Sequence, residues 1–132
     1  MPHGGSRVLE YFAVALVSVA LASCVEEGKR PAVTPAATVI GEPQSCIPLR
    51  QLSETRIRDD WTIDFIAASG RVWRNALTSR CSGLKLSSGI GYKTSLSQLC
   101  STDIIYVLDS AGPLRRGPAC GLGQFVPVKL AK

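Results

Sequence analysis

From Cys46 onward the sequence predicts a small all-β domain stapled by disulfides, an antiparallel meander or partly open barrel of about five strands. Three observations lead there. Apolar runs are short and are separated by Gly, Pro, Asp and Ser, the residues of turns. No helical period extends beyond one short turn near residues 94–99. Cys46, Cys81, Cys100 and Cys120 fall in a stretch too short to bury a comfortable core unaided, so they are expected to pair as staples.

The first strand is expected around Thr55–Arg58, and Asp59-Asp60 suits the turn that follows it. The clearest local pattern is a hairpin over Trp61–Leu77. Ala68-Ser69-Gly70 fits a three-residue loop with Gly70 in the left-handed position. That loop sets Ala67 opposite Arg71, Ile66 opposite Val72, Phe65 opposite Trp73, Asp64 opposite Arg74 and Trp61 opposite Leu77. An aromatic pair and an opposite-charge pair then arise together, as cross-strand stabilisation favours. Trp61, Ile63, Phe65, Trp73 and Leu77 share one face, the expected core face, and Arg74 points away from it. A two-residue loop would set Phe65 against Arg74 and is rejected.

Ile104-Ile105-Tyr106-Val107-Leu108 is a continuous apolar run and reads as a strand buried on both faces, ended by Ser110-Ala111-Gly112-Pro113. Leu122–Val128 reads as the last strand, with Pro127 placing its end at an edge or bulge. In an up-and-down meander, Cys46 and Cys120 lie at one end of the sheet and Cys81 and Cys100 at the other. The expected bridges are therefore Cys46–Cys120 and Cys81–Cys100. The rival, Cys46–Cys81 with Cys100–Cys120, needs a different strand order.

Upstream of this domain, residues 1–23 have the three parts of a secretory signal. Arg7 lies in a polar leader, which also carries an unusual Glu10. Phe12–Ala22 is apolar except for Ser18, and it is shorter than the about 20 residues that a membrane-spanning helix needs. Leu21-Ala22-Ser23-Cys24 resembles the bacterial lipobox, in which the cysteine is acylated and the chain is cut before it. Ala20 and Ala22 also satisfy an A-x-A site, so plain secretion to the periplasm is the alternative, and a retained membrane anchor comes third. The five cysteines favour lipidation, because an acylated Cys24 leaves four that can pair in an oxidising compartment. Residues 24–45 then form a lipidated cysteine and a tether rich in Pro, Ala and Thr, semi-rigid because of Pro31, Pro35 and Pro43. Val25 after the cysteine favours the outer membrane. The domain proper is expected over residues 46–132.

The only histidine, His3, lies in the signal, so the mature chain lacks the base of Ser-His-Asp and Cys-His sites. No C-x₂-C spacing supports a zinc site, and no metal or other cofactor is expected. Gly117–Gly123 is glycine-rich but lacks the phosphate-loop spacing. Lys93, Ser95 and Ser97 lack the S-x-x-K order. Histidine-free catalysis would need a carboxylate pair drawn from Glu54, Asp59, Asp60, Asp64, Asp103 and Asp109. Turn capping at Asp59-Asp60 and ion pairing at Asp64 are the simpler roles.

From Cys46 onward, twelve Lys and Arg stand against six Asp and Glu, a net charge of +6. Arg56, Arg58, Arg71, Arg74, Arg80, Arg115 and Arg116 are candidate surface charges. Arg56 and Arg58 share one side of their strand, and with Arg74 they are the candidate site for an anionic surface, since guanidinium forks bind phosphate and carboxylate bidentately. Nucleic acid fits the charge but not the compartment. A solvated, solubilising face is the simpler account.

Cys46-Ile47-Pro48-Leu49, Thr55-Arg56-Ile57-Arg58-Asp59-Asp60, Gly70-Arg71-Val72-Trp73-Arg74-Asn75, Tyr92-Lys93-Thr94-Ser95-Leu96-Ser97-Gln98-Leu99-Cys100 and Pro118-Ala119-Cys120-Gly121-Leu122-Gly123 together resemble an uncharacterised family of small exported four-cysteine proteins of Gram-negative bacteria, a domain of unknown function. The resemblance covers residues 46–127. It implies export and a domain boundary, and it brings no activity, ligand or catalytic residue.

The sequence thus points to a non-enzymatic lipoprotein of the cell envelope, joined to a membrane by its lipid anchor and binding an anionic envelope component or an envelope protein. A small β-barrel inhibitor of an envelope-directed hydrolase is a second class. Its basic charge argues against lysozyme as the target, because lysozymes are usually basic too. A histidine-free hydrolase is a third.

Overall fold

The computed structural model describes residues 30–94, 96–109 and 115–132, the side chains of Arg115 and Arg116 excepted. The signal, Cys24 and the linker through Lys29 lie outside the described residues, as do Ser95 and the expected turn Ser110-Ala111-Gly112-Pro113. The fold is all-β and antiparallel. Its strands are β1 (Ala37–Val39), β2 (Cys46–Pro48), β3 (Leu52–Asp59), β4 (Thr62–Ala67), β5 (Val72–Ala76), β6 (Gly89–Tyr92), β7 (Gln98–Cys100), β8 (Ile104–Asp109), β9 (Arg115–Gly121) and β10 (Phe125–Leu130).

The β4–β5 hairpin forms in the expected register: Asp64 opposite Arg74, Phe65 opposite Trp73 and Ile66 opposite Val72. The Ala67 N–H donates to the Arg71 carbonyl and the Leu77 N–H to the Trp61 carbonyl, which closes both ends. Gly70 has φ +88°, a left-handed value that its missing Cβ makes accessible. β3 adds to β4 after a turn in which the Asp59 carboxylate accepts the Trp61 N–H. Ile63, Phe65, Trp73 and Leu77 are buried as expected, while Trp61 is half-buried at the end of the hairpin.

Beyond β5 the simple meander ends. The larger sheet has the order β1-β10-β5-β4-β3, so the last strand returns to pair with β5. Between them the chain builds a separate three-stranded sheet, β6-β8-β9, and β7, which pairs with β2 from ahead of β3 in a two-stranded ribbon. The larger sheet ends in β1 and β3, which leaves it open. The core is shared by all three sheets: Phe65, Trp73 and Phe125 from the first, Ile47 and Leu99 from the ribbon, and Ile105 and Val107 from the third. Phe125 meets Phe65 edge-on, with ring centroids 5.5 Å apart.

This topology overturns the expected cysteine pairing. The bridges are Cys46–Cys100 and Cys81–Cys120, in place of Cys46–Cys120 and Cys81–Cys100, and the rival expectation is excluded as well. Cys46 and Cys100 lie directly opposite one another on β2 and β7, with Cα atoms 4.0 Å apart. Cys81 follows β5, and the Thr78 N–H reaches the Gly121 carbonyl at the end of β9, which delivers Cys120 to it. The strands divide among three sheets, so the cysteines that a single meander would bring together lie apart. In the loop-entropy view each bridge contributes about 4 kcal/mol before other terms.

Other expectations shift with the second sheet. Ile104–Leu108 is a strand, but it alternates: Ile105 and Val107 are buried, whereas Ile104 is 50% exposed. Only one face of that sheet meets the core. The last strand begins at Phe125 rather than Leu122. Leu122 is buried in the core, and Gly123 crosses so close to β5 that a Cβ there would sit 2.0 Å from the Ala76 carbonyl oxygen. The fully buried Asn75 amide holds this crossing, donating to the Gly123 carbonyl at 2.7 Å and accepting the Gly123 N–H at 2.9 Å. Pro127 lies just beyond the last residue paired with β1, where the strand no longer needs its donor. The helical turn is a 3-10 turn at Leu49–Gln51. Near residues 94–99 the Thr94 hydroxyl instead bonds the Gln98 carbonyl, and β7 starts at Gln98.

The linker is shorter than its composition predicts. Its described part, Arg30–Ser45, lies on the domain instead of standing free. β1 pairs with β10, the Ile40 N–H donates to the Pro127 carbonyl, and Gln44 exchanges both backbone bonds with Phe125. Arg74 Nη2 donates to the Pro35 carbonyl, and Arg30 Nη2 to the Leu77 carbonyl. Proline removes N–H donors but keeps every carbonyl; Arg74 takes that of Pro35, and the edge of β10 and the residue after it bond the backbone of Ala36, Ile40 and Gln44.

Two measurements check this topology. Peptide mapping without reduction is expected to recover Cys46 with Cys100 and Cys81 with Cys120. Gly123→Ala is expected to lower the urea-unfolding free energy by about 2–4 kcal/mol, because the methyl group forces the crossing away from Asn75.

Candidate functional site

The three arginines singled out for an anionic surface all lie on the outer face of the larger sheet, as their spacing predicts. They are not free there. Asp64, fully buried in β4, sits among them. Arg58 Nε donates to its Oδ2 at 2.7 Å. Arg74 forks onto it, Nε to Oδ1 at 2.8 Å and Nη2 to Oδ2 at 3.0 Å. Both guanidinium side chains are only 14% exposed. Arg56 lies directly opposite Asp64 but turns back along its own strand to chelate Glu54. Arg58 and Arg74 are thus structural cations around one buried carboxylate, and Arg56 is a surface ion pair. The trio expected to meet an anionic surface is thus turned toward the domain's own carboxylates. The cause is the carboxylate that the hairpin register itself places between them.

Three of the remaining carboxylates hold turns and loops. Asp59 caps the β3–β4 turn. Asp60 Oδ1 accepts the Lys85 N–H at 2.9 Å, and Oδ2 accepts Arg80 Nη2 at 3.0 Å. The Lys85 N–H, with help from the Arg80 guanidinium, holds the Asp60 carboxyl below its ordinary range against the opposing effect of burial. Asp103 accepts the Cys100 N–H. Among the described residues no three His, Cys, Asp or Glu gather as metal ligands. Lys93 and Ser97 are exposed, and Ser95 lies outside the described residues. The glycine-rich Gly117–Gly123 runs through the end of β9 into the crossing beside Asn75, with Gly117–Gly121 in strand rather than in a loop.

Two cations without a carboxylate partner lie together near the tip of the β4–β5 hairpin, which the sequence pattern did not single out. Arg50 and Arg71 are exposed and form no ion pair with any described residue. They line a shallow cleft of about 470 Å³ together with Gln51, Ala67, Ala68 and Ser69. The Arg71 guanidinium also lies over the Trp73 ring, 5.7 Å from its centroid, which limits its freedom. On its other side Arg71 borders a second cleft with Ile40, Gly41, Glu42, Gln44 and Pro127. Val39 and Ile40, 63% and 61% exposed, supply apolar surface there. Arg71 belonged to the expected charge set, but Arg50 did not. A carboxylate-free cleft depends on which loops meet, and charge spacing along the chain does not carry that information.

Searches against protein-family models, curated proteins and solved structures find no match for this chain.

Two outcomes test the division between structural and available charges. Asp64→Ala leaves two buried guanidiniums without their counter-ion, and it is expected to cost about 3–5 kcal/mol in urea unfolding. Glu54→Ala, at an exposed pair, is expected to stay within about 0.5 kcal/mol. The lowered Asp60 carboxyl contributes stability that is complete above the unfolded-state value near pH 4 and is lost as pH falls through the folded value. Urea unfolding at pH 6 and pH 3 is therefore expected to show a smaller acid loss in Asp60→Asn than in the parent chain.

Proposed function

We propose that the protein is a non-enzymatic lipoprotein of the cell envelope, held on a membrane by acylated Cys24, that presents the Arg50–Arg71 cleft to an anionic envelope component or an acidic envelope protein. The observation that carries the reading is the contrast among the arginines. Those of the outer sheet face are occupied by Asp64 and Glu54, while Arg50 and Arg71 have no acidic partner among the described residues and share one cleft. Two exposed guanidiniums beside hydrogen-bonding Gln51 and Ser69 suit a phosphate or carboxylate group. Two disulfides suit an oxidising compartment, in line with the lipobox and signal. Val25 after Cys24 favours the outer membrane over the inner one. Of the carboxylates that a histidine-free hydrolase would need, Glu54, Asp59, Asp60, Asp64 and Asp103 are taken up by arginines and backbone N–H groups, which favours binding over reaction.

Site-specific photo-crosslinking at Ser69 in the native host tests this reading. An adduct is expected, and Arg50→Ala with Arg71→Ala is expected to reduce it at least about tenfold, since each charge-assisted bond contributes about 1.5–3 kcal/mol. Arg56→Ala should leave it unchanged. Absence of an adduct, or one indifferent to Arg50 and Arg71, overturns the assignment.

A further inference from the structure

We infer that the domain stands on the membrane in a set orientation, with the loop carrying Lys85 and Leu86 resting on the bilayer surface and the Arg50–Arg71 cleft facing away from it. The inference rests on the acylation of Cys24 proposed above. Docking of the linker makes it possible. Arg30 is already held on the domain: its guanidinium lies over the Trp61 ring, 4.8 Å from the centroid, and donates to the Leu77 carbonyl at 3.0 Å. Only residues 25–29 separate it from Cys24. Six residue steps span at most about 20 Å, so the end of the domain at Trp61 cannot leave the surface that holds the acyl chains. The opposite end lies one strand length further out, about 20 Å for a six-residue β4.

What this end exposes fits a lipid surface. The loop after β5 is tied to the Trp61 end by Asp60, whose carboxylate takes Arg80 and the Lys85 N–H and whose carbonyl accepts the Cys81 N–H. Leu86 is presented at its tip, 92% exposed, in a turn closed by its own N–H to the Gly83 carbonyl. Gly83 has φ +83°, which suits glycine. Beside Leu86 is a shallow cleft of about 280 Å³ that includes Val107, Leu108 and Pro118. An exposed leucine next to exposed Lys85 matches the boundary of an anionic bilayer, where the apolar group enters the interface and the cation meets headgroup phosphates. In the linker Glu26 and Glu27 are offset by Lys29 and Arg30, so it adds no net repulsion.

Hydrogen exchange tests the orientation on the acylated protein purified from its host. The sample is split between detergent and vesicles of phosphatidylethanolamine and phosphatidylglycerol. Amides of Ser82–Ser88 are expected to exchange several-fold more slowly on vesicles, while those of Ala68–Arg71 are unchanged. Leu86→Asp and, separately, Lys85→Glu are expected to abolish the slowing while the protein still floats with the vesicles, since the acyl chains are intact. Equal exchange in both samples, or protection of Ala68–Arg71 instead, overturns the orientation but leaves the anchor standing. A chain that lacks the acyl mass and fails to float removes the anchor, and the orientation with it.

Discussion

Asp64 lies at the centre of the larger sheet with none of its side chain open to solvent, and ionic bonds tie it to both neighbouring strands. A buried carboxylate is tolerated only when its charge is met nearby, and here Arg58 on β3 and Arg74 on β5 meet it. The same contacts specify register. A slip of one residue would carry Asp64 into the apolar core and Phe65 out of it. Arg74 extends the arrangement further, because its second Nη2 bond reaches Pro35 and fastens the proline-rich leader across the outer face. One hairpin pairing therefore connects three strands and the segment that precedes them.

The second sheet is joined to the first by covalent and polar links as well as by packing. Cys46–Cys100 closes the β2–β7 ribbon, and Cys81–Cys120 ties the end of β5 to the end of β9. Between them the Asn75 amide acts on Gly123 as a strand backbone would, which lets the chain cross from β9 into β10 without leaving buried polar groups unmet. A core drawn from three small sheets explains how so few aromatics suffice. Phe65, Trp73 and Phe125 fill its centre, and aliphatic side chains from each sheet fill the rest.

Charge is distributed by what each group faces. Glu54, Asp59, Asp60, Asp64 and Asp103 are placed where a turn or a cation needs them, while Arg50, Arg71 and Lys85 meet no carboxylate in an ion pair among the described residues. One end carries Arg30, Lys85 and Leu86, and the other carries Arg50 and Arg71. Under the proposed anchor, a short linker and an elongated hairpin would give these ends different neighbours.

Local information determined the β4–β5 hairpin, its glycine turn and its partner list, because a three-residue loop leaves one register that keeps Phe65, Trp73 and Leu77 on a common face. It also determined the all-β class and the use of four cysteines as staples. The cysteine partners, the start of the last strand and the resting place of the leader were decided only by tertiary structure. Each depends on contacts between segments far apart in the chain: β10 returning to β5, β9 passing Thr78, and the edge of β10 capturing Arg30–Ser45. The availability of an arginine is of the same kind. The hairpin register already sets Arg74 against Asp64, but Arg56 and Arg58 look as free as Arg50 and Arg71 in one dimension; Glu54 takes the first and the buried Asp64 the second through contacts that only the folded sheet makes.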